Sequence, residues 1–506
     1  MRQGSNGPIH LLHVLRFTFH AFRFTLYPMT TRTFTRSPNY KWWVVAMLWL
    51  VCFFNYADRQ SIYSVFPKLK DSLGFDKVQL GLIGSAFMWV YAGGAPFAGF
   101  ICDRFRRKDL ILGGCLFWSF VTVTTGWCQK LWQFVVVRAL EGFGETFYFP
   151  ASMSLASDYH GQRTRSRALS FHQSSVYVGT IFGSWLGAWF AENLGWRVGF
   201  YFFGGMGMAL ALVLYKFLRE PARGEADAAN RLEKAESGIT LNPNERRNPS
   251  PLPNGRGEIA ASASVAAGSW AGEQPGALRV VNSGASPAAV APLGVGQTLR
   301  GIFRTPTVPL LMLAFLGANF VATIFLTWTP TFLVEKFHFK LTSAGFSGAV
   351  FIHAASAFSV PLAGWLADGL AGRFAGGRML VQGIGLLAGA AFVFLVGHTG
   401  NITTLLLAMT VFGFCKGFYD SGIFAAVYDV IEPRARGTAA GLMNTVGWGG
   451  GALGPLFVGL VSKYGHKPTE IENMSDAIAF GGVVYLVAAA LIGLAIVSFR
   501  KTCIRV

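Results

Sequence analysis

Charge is what this sequence has least of. Asp, Glu, Lys and Arg make up 13% of its 506 residues, against about a quarter in a soluble globular chain. That scarcity argues against an ordinary soluble fold. Paired cysteines are missing too. The six present, Cys52, Cys102, Cys115, Cys128, Cys415 and Cys503, show no paired spacing and mostly lie within or near apolar segments. A disulfide or metal framework is therefore not expected. There is no glycine-rich nucleotide-binding loop and no nucleophile-plus-base arrangement, which argues against an ATP-driven pump or an enzyme. No cofactor is expected. Residues 1–40 contain no acidic residue, only Arg2, Arg16, Arg23, Arg32 and Arg36 among a mixed set. One reading is a targeting or membrane-surface amphipathic segment. The other, which we expect, is a start placed too early, with Met29 giving a short polar tail before Lys41.

What the chain has in quantity is apolar surface. It is 52% hydrophobic, its mean hydropathy is +0.42, and it holds 46 Phe and 61 Gly. That fits a polytopic helical membrane protein, where small residues let helices approach closely. The net charge of +18 would suit nucleic acid. The basic residues, however, sit in short loops between apolar segments, as the positive-inside rule predicts, and nucleic acid is not an expected partner.

Six apolar segments, near 42–65, 78–101, 109–128, 131–157, 167–190 and 197–217, precede a change in composition. From Arg219 to about Thr298 the chain is rich in Ala, Gly, Pro, Asn and Ser, which reads as a flexible linker. Six more follow, near 306–334, 343–367, 378–396, 402–430, 435–461 and 478–499. The expected fold class is an all-α polytopic membrane protein with about twelve transmembrane helices in two pseudo-symmetric six-helix bundles. The expected domains are a tail (1–40), an N-terminal bundle (41–218), the linker (219–298), a C-terminal bundle (299–500) and a short tail (501–506).

Loop charge sets orientation. Arg104, Arg106, Arg107 and Lys108 follow span two, Arg163 and Arg165 span four, Arg373 span eight and Arg434 span ten. With Arg219, Arg300 and Arg304 of the linker, they mark one side, so both termini and the linker are expected in the cytoplasm. The halves also repeat. Gly99-Phe-Ile-Cys-Asp103 matches Gly364-Trp-Leu-Ala-Asp368, Arg165-Ser-Arg167-Ala matches Arg434-Ala-Arg436-Gly, and Gly142-Phe-Gly-Glu145 matches Gly413-Phe-Cys-Lys416. Two halves of six spans, with sites near the midplane between them, is a transporter architecture.

The charges inside spans are the candidate machinery, because ionisable groups at membrane depth face the protein interior or a water-filled path. Asp58 and Arg59 lie in span one. Asp58 is a candidate proton acceptor and Arg59 a ligand for an anionic group or a partner controlling Asp58; the alternative is a fixed structural ion pair. In span four Arg138, Glu141 and Glu145 are spaced to share one helical face. Arg138 and Glu141 can neutralise each other, which leaves Glu145 as a proton site. Lys416 and Asp420 in span ten can pair at i, i+4, or Lys416 can meet a carboxylate or phosphate in the cavity that Glu145 faces.

Gly99-x-x-x-Asp103-Arg104-x-x-Arg107-Lys108, with its second copy at Gly364 and Asp368, resembles the signature loop of the major facilitator superfamily. Within it, Asn55-Tyr56-Ala-Asp58-Arg59 with Leu218-Arg-Glu-Pro221 resembles bacterial Spinster-type carriers. Gly142-Phe-Gly-Glu145 followed by Phe149-Pro150-Ala151 resembles anion/cation symporters, which include sugar-acid and sialic-acid carriers. The resemblance implies proton coupling and substrate response at Asp58, Arg59 and Glu145, and Arg138 matches the arginine near the start of span four. Lys416 belongs to no pattern that carries over. Span five lacks the Gly-Pro of drug/proton antiporters, which argues against a drug exporter.

The expected function is a proton-coupled carrier of a small organic anion, a monomer in a bacterial inner membrane working by alternating access. Asp58 and Glu145 take the protons; Arg59, Arg138, Lys416, Gln173 and Asn444 are candidate substrate ligands. Gly99, Asp103, Arg104, Arg107 and Asp368 form a cytoplasmic gate. A Spinster-like lysolipid carrier and a non-transporting membrane sensor are the alternatives. His172, Asn319 and His353 are as well explained by helix–helix hydrogen bonds, and Gly179-x-x-x-Gly183-x-x-x-Gly187 by close helix packing.

Overall fold

The computed structural model describes residues 39–160, 162–221, 226, 302–431 and 436–504. The readings of the first 38 residues, of most of the linker and of Arg434 fall outside the described residues. Lys41–Val506 forms one compact unit, and every described element in it is helical.

The first half runs α1 (Tyr40–Ser64), a short α2 (Phe66–Leu73), α3 (Lys77–Arg104), α4 (Arg107–Thr125), α5 (Leu131–Thr146), α6 (Tyr148–Tyr159), α7 (Gln162–Asn193) and α8 (Trp196–Phe217). The second runs α9 (Thr307–Phe337), α10 (Leu341–Ala371), α11 (Gly377–His398), α12 (Ile402–Asp420), α13 (Ile423–Tyr428), α14 (Arg436–Gly451), α15 (Leu453–Tyr464) and α16 (Glu470–Ile504). Several helices outrun their apolar segments by a turn or more, as α7 and α16 do. Only the hydrocarbon-facing part must be apolar.

Spans four, ten and eleven are each built from two helices. The fourth breaks between α5 and α6, where Pro150 has no N–H for the carbonyl of Thr146 four residues back. The eleventh breaks between α14 and α15 because Pro455 stands four residues after Gly451. The orphaned Gly451 carbonyl is satisfied instead by the Thr323 hydroxyl at 2.6 Å.

Among the described residues, eight helical stretches are long and apolar enough to cross a membrane by length and composition. The spans that fall short, α1, α4, α5–α6 and α7, all lie in the first half. Of these, α1 and α5 carry buried charges and α7 is rich in Ser, His and Gln. Polarity inside the bundle is thus concentrated on one side of the repeat.

α7 lies backbone to backbone on α1. A Cβ at Gly183 would sit 2.1 Å from the Ala57 carbonyl oxygen, so only glycine permits the approach. This contact lies one residue before Asp58 on α1. The two halves meet along α7 with α10 and along α3 with α14 and α15. At one end of these seams, charges tie the halves together. Lys77 Nζ is 2.7 Å from Glu335 and 3.4 Å from Glu470, Lys70 reaches Glu335 at 3.2 Å, and Lys463 meets Asp76 at 2.7 Å. Glu192 accepts from the Thr342 backbone N–H at 2.7 Å. At the opposite end the described ion pairs of Arg107 and Arg378 stay within their own halves.

Candidate functional site

Glu145 is the last acidic residue of α5, one turn before the Pro150 break. α5 reaches it by packing Gly142 against α3, where a Cβ would lie 2.4 Å from the Phe87 carbonyl oxygen. That approach brings the aromatic face of α3 over α1. Arg59 lies 4.4 Å from the Phe87 ring centroid, 5.3 Å from Tyr91 and 4.7 Å from Tyr56. The rings hold the guanidinium plane by cation–π attraction. Arg59 donates from Nε at 2.9 Å and also from Nη2 to one oxygen of Glu145, Oε2. The second oxygen, Oε1, is buried without a hydrogen-bond partner.

Asp58 does not share this pair. Neighbouring side chains on a helix diverge by about 100°, so Asp58 points away from the Arg59 guanidinium. It accepts the Arg59 backbone N–H at 2.6 Å and a long contact from the Thr122 hydroxyl at 3.4 Å. Among the described residues no salt bridge reaches it. The alternative of a fixed Asp58–Arg59 side-chain ion pair is therefore not met, and the carboxylate that Arg59 binds is Glu145. Sequence adjacency concealed this, since the partner comes from a different span.

Arg138 and Glu141 pair as their i, i+3 spacing suggests. Both are almost fully buried, and Arg138 stacks 4.8 Å from the Phe87 ring centroid. One oxygen each from Asp58, Glu141 and Glu145 lies within 4.8 Å of the others. Three carboxylates and two guanidiniums thus occupy one buried volume. A metal ion there would stand beside two fixed cations, which does not favour it. A single proton brings the group to neutrality.

The second half repeats the geometry with different chemistry. A Cβ at Gly413 would lie 2.3 Å from the Ile352 carbonyl oxygen, matching the Gly142–Phe87 contact. Lys416 therefore stands where Glu145 stands in the first half, one turn after the close contact. It pairs with Asp420 on its own helix. It lines a small cavity with Gln60, His353, Phe325, Ile352 and Phe412. Glu145 does not line that cavity; Arg59 covers its carboxylate.

The remaining candidates divide. Gln173 and Asn444 are half-buried. His172 is buried and shares a hydrogen bond with the Tyr148 hydroxyl at 3.1 Å, as helix–helix contacts do. Asn319 donates to the Phe315 carbonyl one turn back at 2.9 Å. His353 lies 6.2 Å from the Tyr177 ring centroid. Of the gate candidates, Gly99 and Asp103 are helical but their surroundings are not among those described, and Arg104 is exposed. Arg107 pairs with Asp158 and Glu220, and Asp368 with Arg378, each within its own half rather than across the halves.

Three partners escaped the sequence reading: Asp158, Glu220 and Arg378. A signal was present. The pairs Arg107 and Arg378, Asp158 and Asp429, Gly142 and Gly413, and Glu145 and Lys416 are separated by the same number of residues. Aligning the halves at that offset places Arg378 opposite Arg107. The charges joining the halves, Lys70, Lys77, Asp76, Glu335, Lys463 and Glu470, were also missed, because nothing local marks loop charges as partners across the repeat.

Residues 48–455 match the family model of the Major Facilitator Superfamily, and the chain belongs to that superfamily of membrane transporters. It is 26% identical over 454 residues to the probable anion transporter 4, chloroplastic, of Oryza sativa subsp. japonica, covering 88% of this chain and 68% of that one. It is 24% identical to the probable galactarate/D-glucarate transporter GudP of Escherichia coli (strain K12), covering 84% and 88%. In fold it is similar to the crystal structure of a bacterial homolog to the human lysosomal transporter Spinster in an inward-facing and unoccupied conformation. That match has a TM-score of 0.70 and 20% identity, covering 92% of this chain and 98% of that one.

Proposed function

We propose that this member of the Major Facilitator Superfamily carries a small organic anion, a sugar acid or other carboxylate, together with protons by alternating access. The observation that carries the reading is the Arg59–Glu145 pair. Arg59 is the cation an incoming carboxylate would seek, and an internal carboxylate already occupies it. Substrate and Glu145 therefore compete for one guanidinium. A buried carboxylate that loses its cation is costly to leave charged, so Glu145 released by substrate takes a proton. Anion and proton then move together. Asp58, buried beside it with no cation of its own, is the second proton site.

Arg138 and Glu141 have a different role. They stand on one helix at i, i+3, so movement of one helix against another does not separate them, whereas Arg59 and Glu145 come from different spans. They hold α5 and the rings of α3 in place around the exchangeable pair. The named relatives, an anion transporter and a sugar-acid transporter, support the substrate class. The basic loops support a cytoplasmic position for the Arg107 and Arg378 end. The charges joining the halves at the opposite end then form an outer gate, closed in this structure. We place the carrier in a bacterial plasma membrane, acting as a monomer, with both termini cytoplasmic.

The test is uptake into proteoliposomes under an imposed pH gradient, with sugar acids set against lysolipids. Gradient-dependent accumulation of a sugar acid supports the reading. Movement of lysolipid alone, or uptake indifferent to the gradient, contradicts it.

A further inference from the structure

The repeat places a cation where the first half has an acid. Lys416 sits one turn beyond Gly413 as Glu145 sits one turn beyond Gly142, and both glycines touch the carbonyl of the neighbouring helix. Lys416 is therefore turned toward the bundle axis, not toward lipid. It lines a cavity with Gln60, and Gln60 follows Arg59 directly on α1. The cavity thus lies between the halves, with Gln60 of α1 on one wall and Lys416 of α12 on the other.

The two cations are held differently. Arg59 is bound by a carboxylate from another span whose side chain is fully buried. Lys416 is bound by Asp420, one turn away on the same helix, and that side chain is 32% exposed. If Lys416 is taken by another anion, the part-exposed Asp420 loses less than the fully buried Glu145 would. Among the charged pairs inside the spans this is the one most easily opened.

We propose that Lys416 receives a second carboxylate, so that the preferred substrate is a polyhydroxylated dicarboxylate with one acid group on each half. This rests on the anion-carrier reading above and specifies its substrate. Asp420 is the resting counter-ion that stands in for the second acid group. Gln60 donates from Nε2 to the Leu326 carbonyl at 2.9 Å, so its Oε1, with His353 of the same cavity, offers hydrogen bonds to the hydroxyls between. Phe325, Ile352 and Phe412 close its apolar wall. A ligand that spans from Arg59 to Lys416 joins the two rocking halves, whereas a single acid group engages one of them.

The experiment measures half-saturation for D-glucarate, with two carboxylates, and D-gluconate, with one, in proteoliposomes under the same pH gradient. The wild-type chain should favour D-glucarate. Lys416→Gln should raise half-saturation for D-glucarate about tenfold more than for D-gluconate, the size of one lost charged hydrogen bond. Lys416→Arg should keep the preference, and Asp420→Asn, which removes the internal competitor, should lower half-saturation for D-glucarate. Equal losses for both acids in Lys416→Gln, or a wild-type preference for D-gluconate, overturn the second-carboxylate seat while leaving the anion-carrier reading standing. Failure of the wild-type chain to move either acid overturns that reading and this one with it.

Discussion

Arg59 gives two N–H groups to a single oxygen of Glu145 and leaves the other oxygen buried without a partner. An Arg–carboxylate pair usually spreads its bonds over both oxygens. Here the cation is bound but its partner is only half satisfied. The guanidinium stays in place without that partner, because three aromatic rings surround it. On the proposed reading Arg59 is the fixed cation and Glu145 the member of the pair that lets go.

Among the described residues Asp58 has no such cation, only a backbone N–H and a distant hydroxyl. In Asp58→Asn the site is permanently uncharged, as if always protonated. Gradient-driven accumulation should fall well below the wild-type level, while exchange of internal for external anion continues. Uptake against a gradient at the wild-type level would remove Asp58 from the proton path.

The buried Lys77 joins α3 to Glu335 and Glu470 of the second half. Lys77→Met leaves those carboxylates without their buried cation. Because both are partly exposed, the cost to the closed gate is roughly 1–3 kcal/mol, below that of a fully buried pair. Ser184 is buried on α7, where its hydroxyl donates to the Gly345 carbonyl of α10 at 2.7 Å, on the seam between the halves. A cysteine placed there, in a chain whose native cysteines are replaced, should then react about tenfold faster with a membrane-impermeant maleimide. An unchanged rate would mean that this network does not hold the gate shut.

Asp76 fixes the sign of a pH effect at the same end. Burial pushes its carboxyl up, but the hydrogen bonds from Lys463 and from the Gln79 backbone outweigh this and hold it below its ordinary value of 3.8. A group whose value is lowered in the closed state stabilises closure above the ordinary value. It loses that contribution only as pH falls through the lowered one. The Asp76–Lys463 pair is therefore constant between about pH 5 and 8. Asp76→Asn should weaken the gate equally across that window and leave the shape of the pH–uptake curve unchanged. A changed shape would make the gate itself a pH sensor.

Gly183 sets the distance between α7 and the helix that carries Asp58 and Arg59. Gly183→Ala puts a methyl 2.1 Å from the Ala57 carbonyl oxygen, so the helices must part. Overpacking of this kind costs roughly 1–3 kcal/mol and should lower the thermal midpoint in detergent by several degrees. Gly205→Ala, whose added Cβ meets nothing within 4 Å, is the control and should leave the midpoint unchanged. Equal behaviour of the two variants would show that the approach is not glycine-limited.

Much of this was legible in the sequence, for physical reasons that can be named. Apolar runs of bilayer length mark spans wherever burial demands them, and the paired Asp103 and Asp368 loops announce the repeat. Arg138–Glu141 and Lys416–Asp420 could be read as pairs because helical spacing alone brings them together. Arg59–Glu145 could not, since it joins spans far apart in sequence. Asp58 and Arg59, neighbours in sequence, invited a pairing that the helical turn forbids. The breaks at Pro150 and Pro455 were visible as prolines, but a proline inside a long apolar run reads equally as a kink within one helix. The charges joining the halves were illegible for a simpler reason: they lie at the ends of spans, and only the packing of the halves selects their partners.

The most direct measurement is the proton movement that substrate itself provokes. Proteoliposomes at equal internal and external pH receive D-glucarate outside, and external pH is followed with a dye. The wild-type chain should make the medium more alkaline as the anion enters, and in Glu145→Gln the protons taken up per anion should drop to roughly half or less. Anion uptake by the wild type with no change in external pH would contradict the account. So would an undiminished proton uptake by Glu145→Gln.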